Sequence, residues 1–522
     1  MKKIIKYTII SLLLTVTLFF AILSIKYQPN YVYRLVRLNV GDVYDYKYFE
    51  HRVIKTNDTA FYFPKKLDED YVESLFIDEI NNSGCKTFDE WAEKSKSTAL
   101  IFIRHDTILY EKYFNGFKRD YYFHSMSMAK SFISTLIGFA IQDGFISDIN
   151  DPITKYIPEL KERDNRFEKI TIRNLMMMQS GIKYYEGYFP GTYVHLPWHD
   201  EAIGYYHPEV RKLLLEDVKI GDEPGKTFQY NNYNPSYLGL IIERATKKNV
   251  SEYLEEKLWT QIDTEFDALF CLDSKESGFE LMPSMLVARA IDYAKFGRLF
   301  LNKGNWNGKQ VISEEWVSEA TTEDTSVPRK YYPDYMGGGS NRTFYKYQWW
   351  GHANSDSTNN FLAVGNLGQT IYVIPHQEII IVHCGNSNEL YDAKNDLWHV
   401  ERLIKYKAFH QLITQKGVAA GIEEFRQKRN ENPDNYPINE RTINTKGYAC
   451  LNSGKIKEAI LLFSLNVELF PNSSNVYDSL AEAYLKNGDK QKAISNYQKS
   501  FELNPNNLNA KKMIKELEKN SP

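Results

Sequence analysis

The chain begins with one long apolar run, and shorter apolar patterns follow. Residues 7 to 25 carry no charge over 19 positions, with lysines before and after the run. At about 1.5 Å per helical residue, this run just crosses a hydrocarbon core about 30 Å thick. The preceding lysines favour a cytoplasmic N-terminus, so residues 1–27 are predicted to anchor the body outside the cytoplasm. A cleaved secretory signal is the alternative, and it also leaves the body exported.

Two β-rich segments lie far apart in the chain. Residues 98–113 and 369–384 each have the pattern of two strands, around turns at 105–106 and 375–378. The pattern between these segments is mostly helical. We therefore predict an α/β (α+β) fold, in which an antiparallel sheet has its first and last hairpins as neighbours. Helices flank this sheet, and an all-helical subdomain lies in the middle of the chain.

The C-terminal end repeats at an interval of 34 residues. This interval separates several pairs of small, aromatic and proline positions, such as Ala459 and Ala493, or Pro471 and Pro505. The period resembles the tetratricopeptide repeat, with two repeats and a capping helix over residues 440–518. Two repeats are fewer than usually stand alone, so we expect them to pack on the preceding domain or on a protein partner. Residues before them, 416–439, are charged and interrupted by prolines, which predicts a linker.

Composition excludes several classes of function. Lysine and arginine number 64 against 67 aspartates and glutamates, a net charge of −3, so no nucleic-acid partner is expected. Four widely spaced cysteines exclude a zinc ribbon and a dense disulfide scaffold. His195 and His199 have a spacing that could hold a metal, but no third distant ligand is evident. We interpret them as exposed loop histidines and expect neither a metal nor a cofactor.

The S-x-x-K spacing occurs three times, and its context distinguishes one occurrence. Ser127 and Lys130 open a long amphipathic helical pattern that ends near Gly144, unlike the serines at Ser83 and Ser180. At a helix N-terminus the serine and lysine share one face and the local potential is positive. A buried lysine there would have a lowered pKa and could take the serine proton. A serine cap beside a surface lysine is the alternative interpretation.

Two later segments add candidate chemistry. Tyr230 and Asn232 form a Y-x-N pattern just before a helical run. A tyrosine hydroxyl beside a lysine can pass a proton to a leaving group, and an asparagine amide can hydrogen-bond a substrate. Residues 361–375 form a glycine-rich lead into the last hairpin. Their backbone could direct an N–H group at a substrate carbonyl oxygen, as an oxyanion hole requires.

With these motifs in order, the chain resembles the serine β-lactamase and penicillin-binding superfamily, and within it the class C-like esterase and 6-aminohexanoate-dimer hydrolase branch. The resemblance covers roughly residues 85 to 400, inside a predicted domain at 85–415, and includes the phrases SMSMAKSF, EPGKTFQYNN and GNLGQTIYVIP. It implies Ser127 as the acylated nucleophile, Lys130 as its proton acceptor and Tyr230 as general acid and base. The substrate-binding positions that it implies are Asn232, Gly365, Asn366 and Gln369, with backbone N–H groups of Ser127 and a residue near Asn366 as the oxyanion hole.

One departure from the family pattern affects the expected substrate. The third family box, usually Lys-Thr-Gly or His-x-Gly, corresponds here to residues 363–368, which contain no cation. We therefore predict a serine hydrolase for a small-molecule or peptide-like amide or ester, joined to its anchor by a linker or extension at 28–84. A β-lactamase or DD-peptidase is one alternative, and a non-catalytic scaffold that binds partners through the repeats is another.

Overall fold

The two predicted hairpins lie side by side in one antiparallel sheet. The computed structural model describes residues 2–39, 41–76, 80, 83–185, 187, 194–324, 343–353, 359–387, 407–431, 433 and 436–519. The strands are β1 (His51–Ile54), β2 (Ser97–Arg104), β3 (Thr107–Tyr113), β4 (Phe123–His124), β5 (Ala268–Cys271), β6 (Leu286–Ala288), β7 (Asn305–Trp306), β8 (Lys309–Gln310), β9 (Thr343–Lys346), β10 (Trp349–Ala353), β11 (Asn359–Gly365), β12 (Gln369–Ile374) and β13 (Ile379–Gly385). The main sheet has the order β3-β2-β13-β12-β11-β10-β9, and β13 pairs antiparallel with β2. This confirms the predicted fold class and the predicted pairing of the hairpins.

The turn between β2 and β3 lies at the two residues where the sequence predicts it. His105 and Asp106 both have left-handed backbone conformations, with φ of 48° and 56°. Two consecutive residues with positive φ make the tight hairpin turn that matches strand twist, and aspartate tolerates this conformation better than most residues.

The helices cover the sheet and build the central subdomain. Their bounds are α1 (Lys2–Tyr27), α2 (Pro29–Leu38), α3 (Glu69–Ser74), α4 (Phe88–Lys94), α5 (Ala129–Gln142), α6 (Glu159–Arg163), α7 (Ile172–Met176), α8 (Asp200–Tyr206), α9 (Val210–Glu216), α10 (Tyr233–Thr246), α11 (Val250–Leu254), α12 (Ala290–Leu301), α13 (Glu314–Thr321), α14 (Lys407–Lys416), α15 (Val418–Glu431), α16 (Glu440–Asn452), α17 (Ile456–Leu469), α18 (Ser474–Lys486), α19 (Lys490–Leu503) and α20 (Leu508–Lys519). Helix α5 is buried through nearly its whole length. Its Phe132 stacks on Phe296 of α12 with ring centroids 3.8 Å apart. The site-bearing end of α5 is therefore held by a packed core rather than by a loop.

The segment predicted as a linker or extension at 28–84 is part of the folded body. Strand β1 pairs with β5 in a second sheet of order β1-β5-β6-β4. Tyr31, Leu35 and Phe49 from this segment are buried in the main hydrophobic core. The sequence pattern of α2 is amphipathic over only ten residues, too short to distinguish from an exposed extension.

The chain divides into two compact units, Met1–Leu397 and Trp398–Pro522. The second unit contains α14 to α20, in which α14 packs on α15, α16 on α17 and α18 on α19. The linker predicted at 416–439 contains α15, whose Ile422 and Phe425 are buried with the repeat helices. The helix ends at Glu431, two residues before Pro433, because a residue that precedes proline is disfavoured in helical conformation.

Candidate active site

Ser127 lies in a short turn that joins β4 to α5. Residues Met126–Met128 form one 3-10 turn, and Met126 has a left-handed φ of 46°. Just before this turn, the buried Ser125 fixes its position, because its hydroxyl donates to the Ser284 carbonyl at 3.1 Å. Ser127 itself is half-buried, so its hydroxyl is fixed by the scaffold and still reaches the surface.

Lys130 lies one turn further along α5 and contacts the candidate nucleophile. Its Nζ is 2.8 Å from Ser127 Oγ and 2.8 Å from the Pro283 carbonyl oxygen. The lysine is only 1% exposed. In both contacts the amine is the donor, and together they hold Nζ against the serine hydroxyl. The structure therefore brings together the serine and lysine that the sequence predicted.

Tyr230 covers the lysine from the other side. Lys130 Nζ lies 4.9 Å from the centre of the Tyr230 ring. The ring centroid of Tyr230 is 6.0 Å from that of Trp350 and 6.1 Å from that of Tyr345. These two aromatic residues come from β9 and β10, at the edge of the main sheet, and they hold the tyrosine against the lysine. The three predicted catalytic residues therefore form one cluster.

Asn232 is held by an acidic residue that the sequence analysis did not identify. Its Nδ2 donates to both carboxylate oxygens of Glu201, at 2.8 and 2.7 Å. Glu201 also accepts a hydrogen bond from the Tyr184 hydroxyl. Within the described part of the chain, the buried Oδ1 of Asn232 has no hydrogen-bond partner. The carboxylate therefore fixes the orientation of the amide and leaves its carbonyl oxygen as the free acceptor.

The glycine-rich segment after β11 packs against the nucleophile. A Cβ atom added to Gly365 would lie 2.5 Å from the Ser125 carbonyl oxygen and 2.9 Å from Ser127 N. Only glycine allows this approach. The next residue, Asn366, is exposed, and Leu367 has a left-handed φ of 61°. The segment predicted for the oxyanion hole therefore lies beside the backbone N–H of Ser127.

The amide of Gln369, a predicted substrate-binding residue, hydrogen-bonds to the protein's own backbone. It is buried, and its Nε2 donates to the carbonyl oxygens of Gly385 at 2.6 Å and Leu367 at 3.2 Å. His383 supports the same segment, because its Nδ1 donates to the Gly368 carbonyl at 2.6 Å. Burial lowers the pKa of His383 to about 4, which keeps the ring neutral and leaves Nε2 free to accept from the Ser97 hydroxyl at 2.8 Å. These two side chains support the loop from behind.

The histidine pair near residue 195 is not the exposed loop pair that the sequence analysis expected. His199 is buried, and its Nδ1 contacts the Gly187 carbonyl. His195 is half-buried, and burial lowers its pKa. In the described residues, no group of three or more histidine, cysteine, aspartate or glutamate side chains could hold a metal ion.

Three supporting residues escaped the sequence analysis for identifiable reasons. Glu201 follows His199 and Asp200 in a segment whose pattern suggests only metal ligands. Its hydrogen-bond partner, Asn232, lies 31 positions later in the chain. His383 sits in a strand whose pattern is simply apolar. Trp350 is one of two adjacent tryptophans in the sequence, and only the fold shows that its ring contacts Tyr230. No local sequence signal connects these residues to the motifs.

A half-buried serine and a buried lysine under a tyrosine, between an antiparallel sheet and a helical subdomain, define a protein of the β-lactamase fold. The chain belongs to the β-lactamase family of hydrolases: the family described as Beta-lactamase matches residues 86–404, and a tetratricopeptide repeat matches residues 474–507. The 6-aminohexanoate-dimer hydrolase of Paenarthrobacter ureafaciens is 28% identical over 298 residues, 56% of this chain and 72% of that protein.

Two further similarities agree with this family. An uncharacterized protein of Alkalihalophilus pseudofirmus is 25% identical over 337 residues, 60% of this chain and 83% of that protein. Among solved structures, a Bacillus anthracis protein assigned provisionally as a 6-aminohexanoate-dimer hydrolase matches with a TM-score of 0.58 and 25% identity. That match covers 71% of this chain and 93% of the other.

Proposed function

We propose that this chain hydrolyses an amide or ester through an acyl-enzyme on Ser127. The observation that carries the proposal is the 2.8 Å contact between Ser127 Oγ and the buried amine of Lys130. An isolated serine hydroxyl is a weak nucleophile, and a base within hydrogen-bond reach activates it. The arrangement fits that requirement.

In the proposed reaction, Ser127 Oγ attacks the substrate carbonyl carbon while its proton passes to the neutral amine of Lys130. The Tyr230 hydroxyl, whose ring centre lies 4.9 Å from this amine, passes a proton to the leaving nitrogen or oxygen as the scissile bond breaks, and the Lys130 ammonium reprotonates the phenolate. Water then attacks the acyl carbon, its proton returns through the same groups, and Ser127 is released. Backbone N–H groups of Ser127 and of a residue near Asn366 are proposed to stabilise the oxyanion.

An amide or ester without a β-lactam ring is the proposed substrate. The relatives named as 6-aminohexanoate-dimer hydrolases support amide chemistry. The absence of a cation among residues 363–368 argues against substrates held by a carboxylate at that position, as in the family's β-lactamases and DD-peptidases. The Asn232 amide, which Glu201 holds in place, is the proposed hydrogen-bonding group on the substrate side.

The N-terminal helix and the repeats support a location and a partner. Helix α1 is long and apolar enough to cross a membrane or to act as a signal, and we propose the uncleaved anchor with the body outside the cytoplasm. The repeats at 440–518 are proposed to bind a protein partner, as such helical arrays usually do.

Turnover of three substrate types tests the proposed function. Purified full chain would be given a chromogenic ester, a chromogenic anilide and a chromogenic cephalosporin, alongside Ser127→Ala and the matched control Ser83→Ala. We expect Ser127-dependent hydrolysis of the ester or anilide and little of the cephalosporin. Cephalosporin as the best substrate would support the β-lactamase alternative, and equal inactivity of the wild type and Ser127→Ala would support the scaffold alternative.

A further inference from the structure

We propose that a pocket beside the base of the N-terminal helix binds the headgroup of an anionic phospholipid. The pocket has a volume of about 740 Å³ and lies between the end of α1 and the body of the protein. Its lining includes Lys26, Tyr27, Lys183, Tyr185, Trp198 and Lys219. The catalytic cluster of Ser127, Lys130 and Tyr230 is not part of this lining. The inference rests on the proposed membrane anchor.

The pocket has a fixed position relative to the point where the anchor ends. Gln28 alone separates α1 from α2, so no flexible tether intervenes. Helix α2 is packed on the body, and the buried Tyr31 donates its hydroxyl proton to the Pro197 carbonyl at 2.6 Å. Near the end of α1, Leu23 is buried, while most apolar side chains earlier in the helix are exposed. A membrane crossed by α1 would therefore meet the body at this pocket.

The charges in the pocket suit an anionic group. Three lysines line it, Lys26, Lys183 and Lys219, and none of them forms a salt bridge with a carboxylate among the described residues. Asp200 also lines the pocket, but its oxygens accept from the Tyr233 hydroxyl at 2.9 Å and from Tyr185 N at 2.7 Å. Asp217 is the other acidic residue of the lining. Three ammonium groups that outnumber the two carboxylates of the lining, and form no salt bridge with them, can bind a phosphate.

The aromatic residues favour a lipid over a free phosphate. Two large amphipathic side chains beside the end of the anchor are half exposed: Trp198 is 52% exposed and Tyr185 is 58% exposed. Tryptophan and tyrosine concentrate at membrane interfaces, where one end of the side chain is apolar and the other is hydrated. Behind them, Ile203, Leu213 and Val218 supply an apolar wall for the glycerol and first acyl carbons. A free phosphate would use the lysines and leave this wall unused.

The pocket is also connected to the active site by α8. Asp200 and Tyr233 line the pocket, and their chain neighbours Glu201 and Asn232 belong to the catalytic side. A bound headgroup would therefore set the active-site cleft close to the membrane surface. This placement suits a substrate that reaches the enzyme at that surface.

Native mass spectrometry of the full chain in a mild detergent tests the site. Phosphatidylglycerol and phosphatidylcholine would be titrated against the wild type, the variant Lys183→Glu/Lys219→Glu, and the matched control Lys66→Glu/Lys118→Glu outside the pocket. We expect the pocket variant to bind phosphatidylglycerol about tenfold or more weakly, because each basic residue at a membrane surface contributes roughly 1 kcal/mol. The control should bind like the wild type.

Three results would overturn the proposal. The first is unchanged phosphatidylglycerol affinity in the pocket variant, and the second is equal affinity of the wild type for the two lipids. The third is equal displacement of bound phosphatidylglycerol by inorganic phosphate and by added phosphatidylglycerol, which would indicate a site for free anions. The intact mass of the mature chain tests the anchor separately, because loss of the residues before Pro29 would refute the anchor itself.

Discussion

At Ser127 the proposed chemistry depends on one short contact with a buried amine. Lys130 donates to the serine and to the Pro283 carbonyl, and the ring of Tyr230 covers the amine. A buried lysine is retained in a core only when its polar end has partners. The backbone carbonyl and the serine hydroxyl supply those partners and hold the amine within reach of the proton that it is proposed to accept.

Replacing this lysine should remove acylation without unfolding the protein. We expect Lys130→Ala to lower the acylation rate about 10²–10⁴-fold, the usual contribution of a positioned acid or base. Lys86→Ala, which alters a lysine of the same S-x-x-K spacing elsewhere, is the control. Stopped-flow acylation with a chromogenic ester measures the effect, and circular dichroism checks the fold. A Lys130→Ala rate within threefold of the wild type would contradict the assigned base.

Glu201 is predicted to act through Asn232 rather than on the substrate. Glu201→Gln should lower kcat/KM about tenfold, because one of the two oxygens that orient the amide is replaced by a donor. Asn232→Ala should lower it at least as much. Residues that act as a unit give non-additive losses. The kcat/KM of the double variant should therefore match that of Asn232→Ala alone. A fold-loss equal to the product of the two single fold-losses would contradict the assigned role.

Asp45 makes the stability of the folded protein depend on pH. Burial raises the pKa of this carboxyl to about 7. The folded protein therefore holds the proton more tightly than the unfolded chain. Protonated Asp45 therefore contributes fully to the stability of the folded protein below about pH 4. This contribution is lost as the pH rises to 7.

Asp45→Asn should remove this loss, since the amide oxygen can still accept from the Asp42 backbone N–H. We expect its apparent Tm to exceed that of the wild type by about 2–4 °C at pH 8. At pH 4.5 the difference should largely disappear. Differential scanning fluorimetry at both pH values measures this, and an equal difference at the two pH values would contradict the assignment.

At the scale of elements, the loop from β11 to β12 is positioned from two sides. In front, Gly365 approaches the backbone of the nucleophile turn. Behind, His383 and Gln369 donate to its carbonyl oxygens. This loop is proposed to carry an oxyanion donor, whose N–H must be held to within a fraction of an ångström, and these contacts would provide that constraint.

A methyl group at position 365 should disturb this geometry. The added carbon of Gly365→Ala would meet backbone atoms, which cannot move away as a flexible side chain can. We expect acylation to fall about tenfold to a hundredfold, because small misplacements at a reacting centre cost that much. Gly41→Ala is the matched control, since its added carbon meets nothing within 4 Å. Equal activity of the two variants would contradict the close approach.

The sequence could predict elements with strong local patterns and missed those stabilised from a distance. The hairpins at 98–113 and 369–384 follow from apolar strands around turn residues, and the helix after Ser127 follows from its long apolar pattern. Strand β1 has only four residues and acquires its partner β5 from a segment more than 200 positions away. Helix α15 lies in a charged segment, where prolines indicated a linker more strongly than its buried Ile422 and Phe425 indicated a helix. Tertiary packing determines both.

At the scale of the whole molecule, the N-terminal helix and the body form one compact unit, and the repeats belong to another. The packing of α2 joins the proposed anchor directly to the domain that carries Ser127. The first unit should therefore be held at the membrane rather than suspended from a flexible tether.

Membrane retention of the full chain tests this arrangement. Chain made in cells should remain with the membrane pellet after alkaline carbonate, and external protease should reach its body. Leu13→Arg/Leu14→Arg should release the chain from the pellet, because each arginine near the centre of a span costs about 2.5–3.5 kcal/mol. A wild-type chain found in the soluble fraction without its first residues would contradict the anchor.

Labelling of Ser127 is the most direct test of the central claim. A fluorophosphonate probe forms a stable adduct with an activated serine, and mass spectrometry of the digested protein locates the adduct. We predict one adduct, on the peptide that contains Ser127, in the wild type and in Ser83→Ala. No adduct should form in Ser127→Ala. An adduct elsewhere, or labelling that persists in Ser127→Ala, would contradict the proposed nucleophile.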